Sequence, residues 1–215
     1  MVIEMDEETR KQVEERFQTL DGKVSMHLFV ESQDCLYCSD AKELASKIAE
    51  LSEKIELTEH DLPEANDVAS EMGIRFTPAI VLHGKEEYNL RFYGIPAGHE
   101  FGALISDIVD VSTESVQLPE EMIADIEAIN QKVHIQVFTT PQCPYCPNVV
   151  RLAHQAAIIN LKIESDMIEA LEFKDLAQRY EVFGVPKTIF NEVLSAEGNI
   201  TPEEFVDKLY EATET

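Results

Sequence analysis

Cys35-Leu36-Tyr37-Cys38 and Cys143-Pro144-Tyr145-Cys146 are the two stretches on which the reading of this chain turns. They are one four-residue motif repeated 108 positions apart, and together they use all four cysteines of the 215-residue sequence. The same offset carries Thr77-Pro78 onto Val185-Pro186, so in each half a proline follows the first cysteine by 43 residues. Self-similarity at one fixed offset implies two copies of a single structural unit.

The stretches around these landmarks repeat as well. Met26 to Val30 and Val133 to Phe138 are short apolar, β-branched or aromatic runs that predict buried strands leading into the cysteines. Beyond each pair the apolar spacing turns helical, with Ala41, Leu44, Ala45, Ile48 and Leu51 on one stripe and Val149, Val150, Ala153 and Ala157 on the other. Second strands are expected at Ile55 to Asp61 and Leu161 to Met167, followed by helices at Glu64 to Met72 and Glu172 to Tyr180. The prolines then open Ala79 to Leu82 and Thr188 to Phe190, with a hairpin partner at Tyr88 to Tyr93. Closing helices cover Gly98 to Val111 and Thr201 to Ala212, and opening helices Asp6 to Leu20 and Pro119 to Asn130. The order α-β-α-β-α-β-β-α is therefore expected twice in an α/β fold. The polar stretch Ser112 to Gln117 is the expected seam, which divides the chain into residues 1–115 and 116–215. So short a join favours halves that pack together, with their sheets edge to edge and vulnerable edge strands covered.

Composition narrows the function classes. Seventeen basic against 42 acidic side chains give a formal charge of −25, which opposes binding to nucleic acid or to an anionic membrane surface. That acidity is expected on exposed helix faces. The N-terminal Met1 to Glu8 is acidic with no apolar segment, and no run approaches the ~20 apolar residues of a membrane span, so a cytoplasmic address is expected. Cysteines confined to two Cys-X-X-Cys pairs do not resemble the scattered bridges of a secreted scaffold.

A Cys-X-X-Cys pair at a helix start suits thiol–disulfide exchange. Unpaired backbone N–H groups and the positive end of the helix dipole favour a thiolate on the first sulfur. The second cysteine, about one turn on, lies within disulfide reach. Cys35 and Cys143 are thus the expected nucleophiles, and Cys38 and Cys146 the resolving thiols. Asp34 opposes negative charge on Cys35, whereas Gln142 is neutral and Pro144 presets a helical φ. Cys143 is therefore expected to be the more reactive thiol. The paired prolines suggest cis X-Pro bonds whose preceding residues, Thr77 and Val185, face the cysteines and pair with an extended substrate.

With these residues in place, the chain resembles the protein disulfide oxidoreductases of archaea and thermophiles, which are glutaredoxin-like tandem thioredoxin-fold proteins related to protein disulfide isomerases. The resemblance covers almost the whole chain. It implies two units, each a central mixed four-stranded sheet flanked by helices. It also implies protein disulfide reduction, oxidation or isomerisation through redox-active disulfides alone, without metal or organic cofactor. Cys143-Pro144-Tyr145-Cys146 is similar to a glutaredoxin site, and Thr77-Pro78 and Val185-Pro186 are similar to the family's cis-proline dipeptides. Tyr37 and Tyr145 join them as expected substrate contacts. The implied partners are protein disulfide substrates and, as electron donor, a flavoprotein like thioredoxin reductase. The chain has no tryptophan and so lacks the thioredoxin Trp-Cys-Gly-Pro-Cys site. It also reads Ala196-Glu197-Gly198-Asn199-Ile200 where glutaredoxins carry a Gly-Gly then Asp signature, which favours a protein substrate over glutathione.

Two other readings compete. An electron relay for a peroxiredoxin system is one, because paired thioredoxin folds also open bacterial flavin-dependent peroxiredoxin reductases, which typically keep one cysteine pair. A zinc-binding module with all four cysteines as ligands is the other, disfavoured because zinc-ribbon pairs lie about 15–20 residues apart. Among other residues, Asp61 is a candidate proton shuttle whose counterpart Glu169 is expected at the surface. Lys187 is a candidate thiolate partner, and His27 and His134 are read as structural.

Overall fold

The computed structural model describes residues 5–33 and 35–214. The first unit runs α1 (Glu7–Phe17), β1 (Val24–Glu31), α2 (Cys38–Ala49), β2 (Ile55–Leu62), α3 (Asn66–Glu71), β3 (Ala79–His83), β4 (Leu90–Tyr93) and α4 (His99–Thr113). The second repeats it as α5 (Glu120–Glu127), β5 (Val133–Thr139), α6 (Cys146–Ile159), β6 (Ile163–Glu169), α7 (Lys174–Arg179), β7 (Lys187–Phe190), β8 (Leu194–Glu197) and α8 (Pro202–Thr213). The doubled order matches the sequence pattern element for element.

One eight-stranded sheet, in the order β2-β1-β3-β4-β6-β5-β7-β8, runs through both units. Each unit supplies a mixed four-stranded half, and the halves join where β4 lies parallel to β6 with Leu90 opposite Ser165 and Tyr93 opposite Ile168. The join turns two edges into interior strands, leaving only β2 and β8 as edges. Pairing directions make β1 and β5 parallel, so both Cys-X-X-Cys motifs emerge from the same end of the sheet. Four strand spacings separate β1 from β5, roughly 19 Å.

Strand alternation divides the core. Met26, Leu28 and Val30 of β1, with Val133, Ile135 and Val137 of β5, face a large layer that includes buried residues of α1, α2, α4, α5, α6 and α8. Phe29, Val81, Tyr93, Phe138 and Ile168 face the other side, which α3 and α7 cover. The stripes expected on α2 and α6 are the buried ones, with Ala41, Leu44, Ala45, Ile48, Val149, Val150, Ala153 and Ala157 at 0 % exposure.

Three expectations need correction. The acidity of α4 is not on an exposed face: Glu100, Asp107 and Asp110 are buried. Asp107 and Asp110 meet Arg151, and Asp107 also meets His154 Nδ1 at 2.6 Å, so α4 and α6 pack through a polar network. Ser112, the first residue of the expected seam, lies inside α4 instead. It is buried, with its hydroxyl accepting from the N–H groups of Asp21 and Gly22 and donating to the Gly22 carbonyl. Finally, the helices after the cysteines begin at Cys38 and Cys146, the second cysteine of each pair, so Pro144 lies before the helix rather than at its first position.

Candidate active site

Each strand-to-helix turn holds a disulfide, Cys35–Cys38 in the first unit and Cys143–Cys146 in the second, both with Cα atoms 5.5 Å apart. The first cysteine stands just ahead of the helix N-terminus. The backbone N–H of Cys146, first residue of α6, donates to Cys143 Sγ at 3.1 Å, which is the amide contact that lowers a thiol's pKa once the bond is reduced. In the first unit the amide reaches the other sulfur: the Glu31 N–H donates to Cys38 Sγ at 3.4 Å. Asp34, expected to disfavour a Cys35 thiolate, lies outside the described residues.

Access differs between the two turns. Cys38 and Cys146 are buried, Cys35 is half-buried, and Cys143 is 7 % exposed. Leu36 is 81 % and Tyr145 60 % exposed beside their cysteines, whereas Tyr37 packs partly into the core. The large exposed residue between the cysteines is therefore Leu36 in one turn and Tyr145 in the other. Thr77–Pro78 and Val185–Pro186 are both cis, as is Leu62–Pro63, for which the sequence offered no repeat partner. Pro78 and Pro186 are buried, and Thr77 and Val185 are half-buried. The Thr77 hydroxyl donates to Glu31 Oε1 at 3.1 Å, so Thr77 and Cys38 meet at the same residue. Phe183, two residues before Val185, is 92 % exposed.

Asp61 accepts from the backbone N–H and hydroxyl of Ser32 and so fastens the loop that approaches Cys35. Its counterpart Glu169 is buried rather than exposed, and burial pushes its carboxyl up. Burial, with Glu169 and Asp40 nearby, also pushes Glu172 up to about 7, against the stabilising N–H of Ile95. Glu100 is the residue that sequence reasoning missed: it is 2 % exposed, and burial followed by Asp107 pushes it up to about 8. No motif marks it, because only packing removes it from water. Lys187 is held by the Glu181 carbonyl and by Glu197, with its charge committed there. His134 lies in the inter-unit ion network, 2.6 Å from Asp166. The cysteines are joined within each pair and follow strands roughly 19 Å apart. That separation rules out one tetrahedral centre of four thiolates with metal–sulfur bonds of about 2.3 Å.

Residues 133–211 match the thioredoxin domain family. A protein disulfide oxidoreductase from Aeropyrum pernix is similar over 99 % of this chain and 95 % of its own, with 29 % identity and a TM-score of 0.92. The chain is built from two thioredoxin folds, each carrying a Cys-X-X-Cys disulfide. The NTD_N/C domain of the alkylhydroperoxide reductase AhpF from Enterococcus faecalis is also similar to this chain, with 25 % identity, a TM-score of 0.90, and coverage of 96 % of this chain and 100 % of that one. Among curated proteins, the F component of alkyl hydroperoxide reductase from Staphylococcus epidermidis is 26 % identical over 206 residues, 95 % of this chain. The chain spans only 38 % of that relative's length. Among the described residues no helix is long and apolar enough to cross a membrane.

Proposed function

We propose that this chain is a thiol–disulfide oxidoreductase that exchanges disulfides with protein substrates at both turns, through Cys35 and Cys143 as nucleophiles, in units bounded near residues 115 and 116. In the reducing direction the Cys143 thiolate attacks a substrate disulfide and expels one substrate sulfur as thiolate, leaving a mixed disulfide. Cys146 then loses its proton, attacks Cys143 Sγ and releases the second substrate thiolate. Two electrons pass to the substrate, and the protein is left with its own disulfide. A dithiol or a flavoprotein like thioredoxin reductase restores the pair, and oxidation is the same sequence reversed. The observation that carries this reading is the Cys146 N–H on Cys143 Sγ, because a sulfur held by an amide is the better thiolate. Thr77-Pro78, Val185-Pro186, Leu36, Tyr145 and Phe183 supply the surface on which an extended polypeptide lies. The cytoplasm is the proposed compartment.

Similarity to the F component of alkyl hydroperoxide reductase favours a second reading, the relay of electrons to a peroxide-reducing partner protein. Insulin reduction driven by dithiothreitol separates the two. Turnover that falls in both Cys35→Ser and Cys143→Ser and vanishes in the double variant supports general exchange at two sites. Wild-type protein inert towards insulin, yet able to reduce a peroxiredoxin disulfide, overturns it in favour of the relay.

A further inference from the structure

Resting on the disulfide-exchange reading above, we propose that the Gly94–His99 connection of the first unit belongs to the second unit's redox site, as a positioning element that holds the loop carrying Cys143. The connection leaves β4 at the centre of the sheet, beside β6, and must pass in front of the end of β6 to begin α4. It is fastened along the way. The Ile95 N–H donates to Glu172 Oε1 at 3.0 Å, and the His99 N–H donates to the Pro141 carbonyl at 3.1 Å.

Gly98 makes the second fastening possible. It adopts a φ of +60°, where a side chain is disfavoured, and a Cβ there would run into the Pro141 carbonyl oxygen and lie 3.1 Å from Pro141 Cβ. Pro141 stands two residues before Cys143. Between them the Cys143 N–H closes a turn on the Thr140 carbonyl at 3.0 Å, and this turn sets where Cys143 Sγ lies relative to the Cys146 N–H. A tilt of the Pro141 peptide therefore lengthens the contact that stabilises the thiolate.

Among the described residues, only the second site is built this way. The residue matching Pro141 by the repeat is Gln33, which is exposed and lines an open groove of about 920 Å3 with Glu31, Asp61 and Pro63. The connection starts at the first site, where the Gly94 N–H donates to the Pro78 carbonyl at 3.0 Å, but its far end at Gly98 and His99 meets the second, so a change there reaches Cys143 and leaves Cys35 in place.

The test uses the reduced full chain, alkylated as a function of pH, with Cys35 and Cys143 followed separately by peptide mass spectrometry and the reduction potential of each pair measured against glutathione. Gly98→Ala intrudes on the Pro141 carbonyl. His99→Pro removes the donor at the first helical position, where its φ suits the helix, and sets its ring Cδ against the same Pro141 carbonyl; it decides the matter should Gly98→Ala not fold. Gly102→Ala, with open space around it, is the control. Both test variants are expected to slow Cys143 alkylation at pH 7 by about three- to tenfold and to shift the potential of the second pair alone. An unchanged Cys143 profile in folded variants, or an equal change at Cys35, overturns the proposal. Failure of the exchange reading shows up elsewhere, as wild-type protein that does not turn over insulin.

Discussion

Arg91 and Asp166 stand directly opposite each other across the β4–β6 join, one from each unit, with Arg91 Nε 2.7 Å from Asp166 Oδ1 and both side chains at most 2 % exposed. Burial alone would raise the aspartate pKa, but Arg91 and His134 outweigh it and hold the carboxyl below its ordinary value. Arg75 and Glu164 extend the cluster, and Arg91 also donates to the Met72 carbonyl. The two thioredoxin folds are thus fixed in register by an ion cluster as well as by backbone pairing. Arg91→Met should strip Asp166 of its one fully buried cationic partner, leaving only Arg75 and His134 on the carboxylate, and cost about 3 kcal/mol, while Arg91→Met with Asp166→Leu recovers most of the loss. Urea unfolding measures both. Removing the exposed Arg10–Glu14 pair with Arg10→Met should cost less than about 1 kcal/mol and serves as reference.

Glu100 gives the protein an alkaline weakness. Its folded-state pKa, about 8, lies above the ordinary value of 4.5, so the folded chain holds the proton more tightly than the unfolded chain. The associated stability is complete below pH 4.5 and drains away as pH rises towards 8. Glu100→Gln should abolish this decline and gain on the order of a few kcal/mol at pH 9 relative to the parent. Unfolding midpoints across pH 5 to about 9 check it, and parallel curves for the two proteins would contradict it.

Acid acts through a histidine group on β1, β2 and β3. His27 Nδ1 lies 3.0 Å from His60 Nε2, and His83 packs beside His27 with ring centroids 5.2 Å apart. Burial, then His83 and His60, push His27 down from 6.5 to about 4, and burial lowers His60 and His83 too. A depressed imidazole pKa means that the unfolded chain binds protons first. Stability is therefore full above pH 6.5 and is lost between 6.5 and about 4. His27→Gln should make that loss shallower in acid titrations followed by circular dichroism.

Phe183 is exposed and borders the Val185–Pro186 step, so removing its ring should leave folding alone and weaken protein substrates. Phe183→Ser is expected to change stability by less than about 0.5 kcal/mol. It should raise KM for insulin several-fold without altering kcat for a small aromatic disulfide. Equal losses on both substrates would instead place the effect on the cysteine chemistry.

The sequence alone determined the repeat, the order of sixteen elements, the cysteine pairs and the cis prolines 78 and 186, because each depends on residues close in the chain or on one offset applied twice. Leu28 and Val30 point into the core for the same local reason, strand alternation. Only the tertiary structure decided which carboxylates leave water. Asp61 and Glu169 occupy the same place in the repeat, yet one fastens an exposed loop and the other is buried at the join. Asp107 and Asp110 look like the solvent face of an acidic helix until Arg151 and His154 of α6 pack against them, and Glu100 on the same helix is buried too. Repetition fixes what each unit is. The contact between units is made once, is not repeated, and therefore leaves no periodic trace. From that single contact come the ion pairs of Asp107 and Asp110 with Arg151, the ion cluster at Arg91 and the hold of His99 on the loop before Cys143.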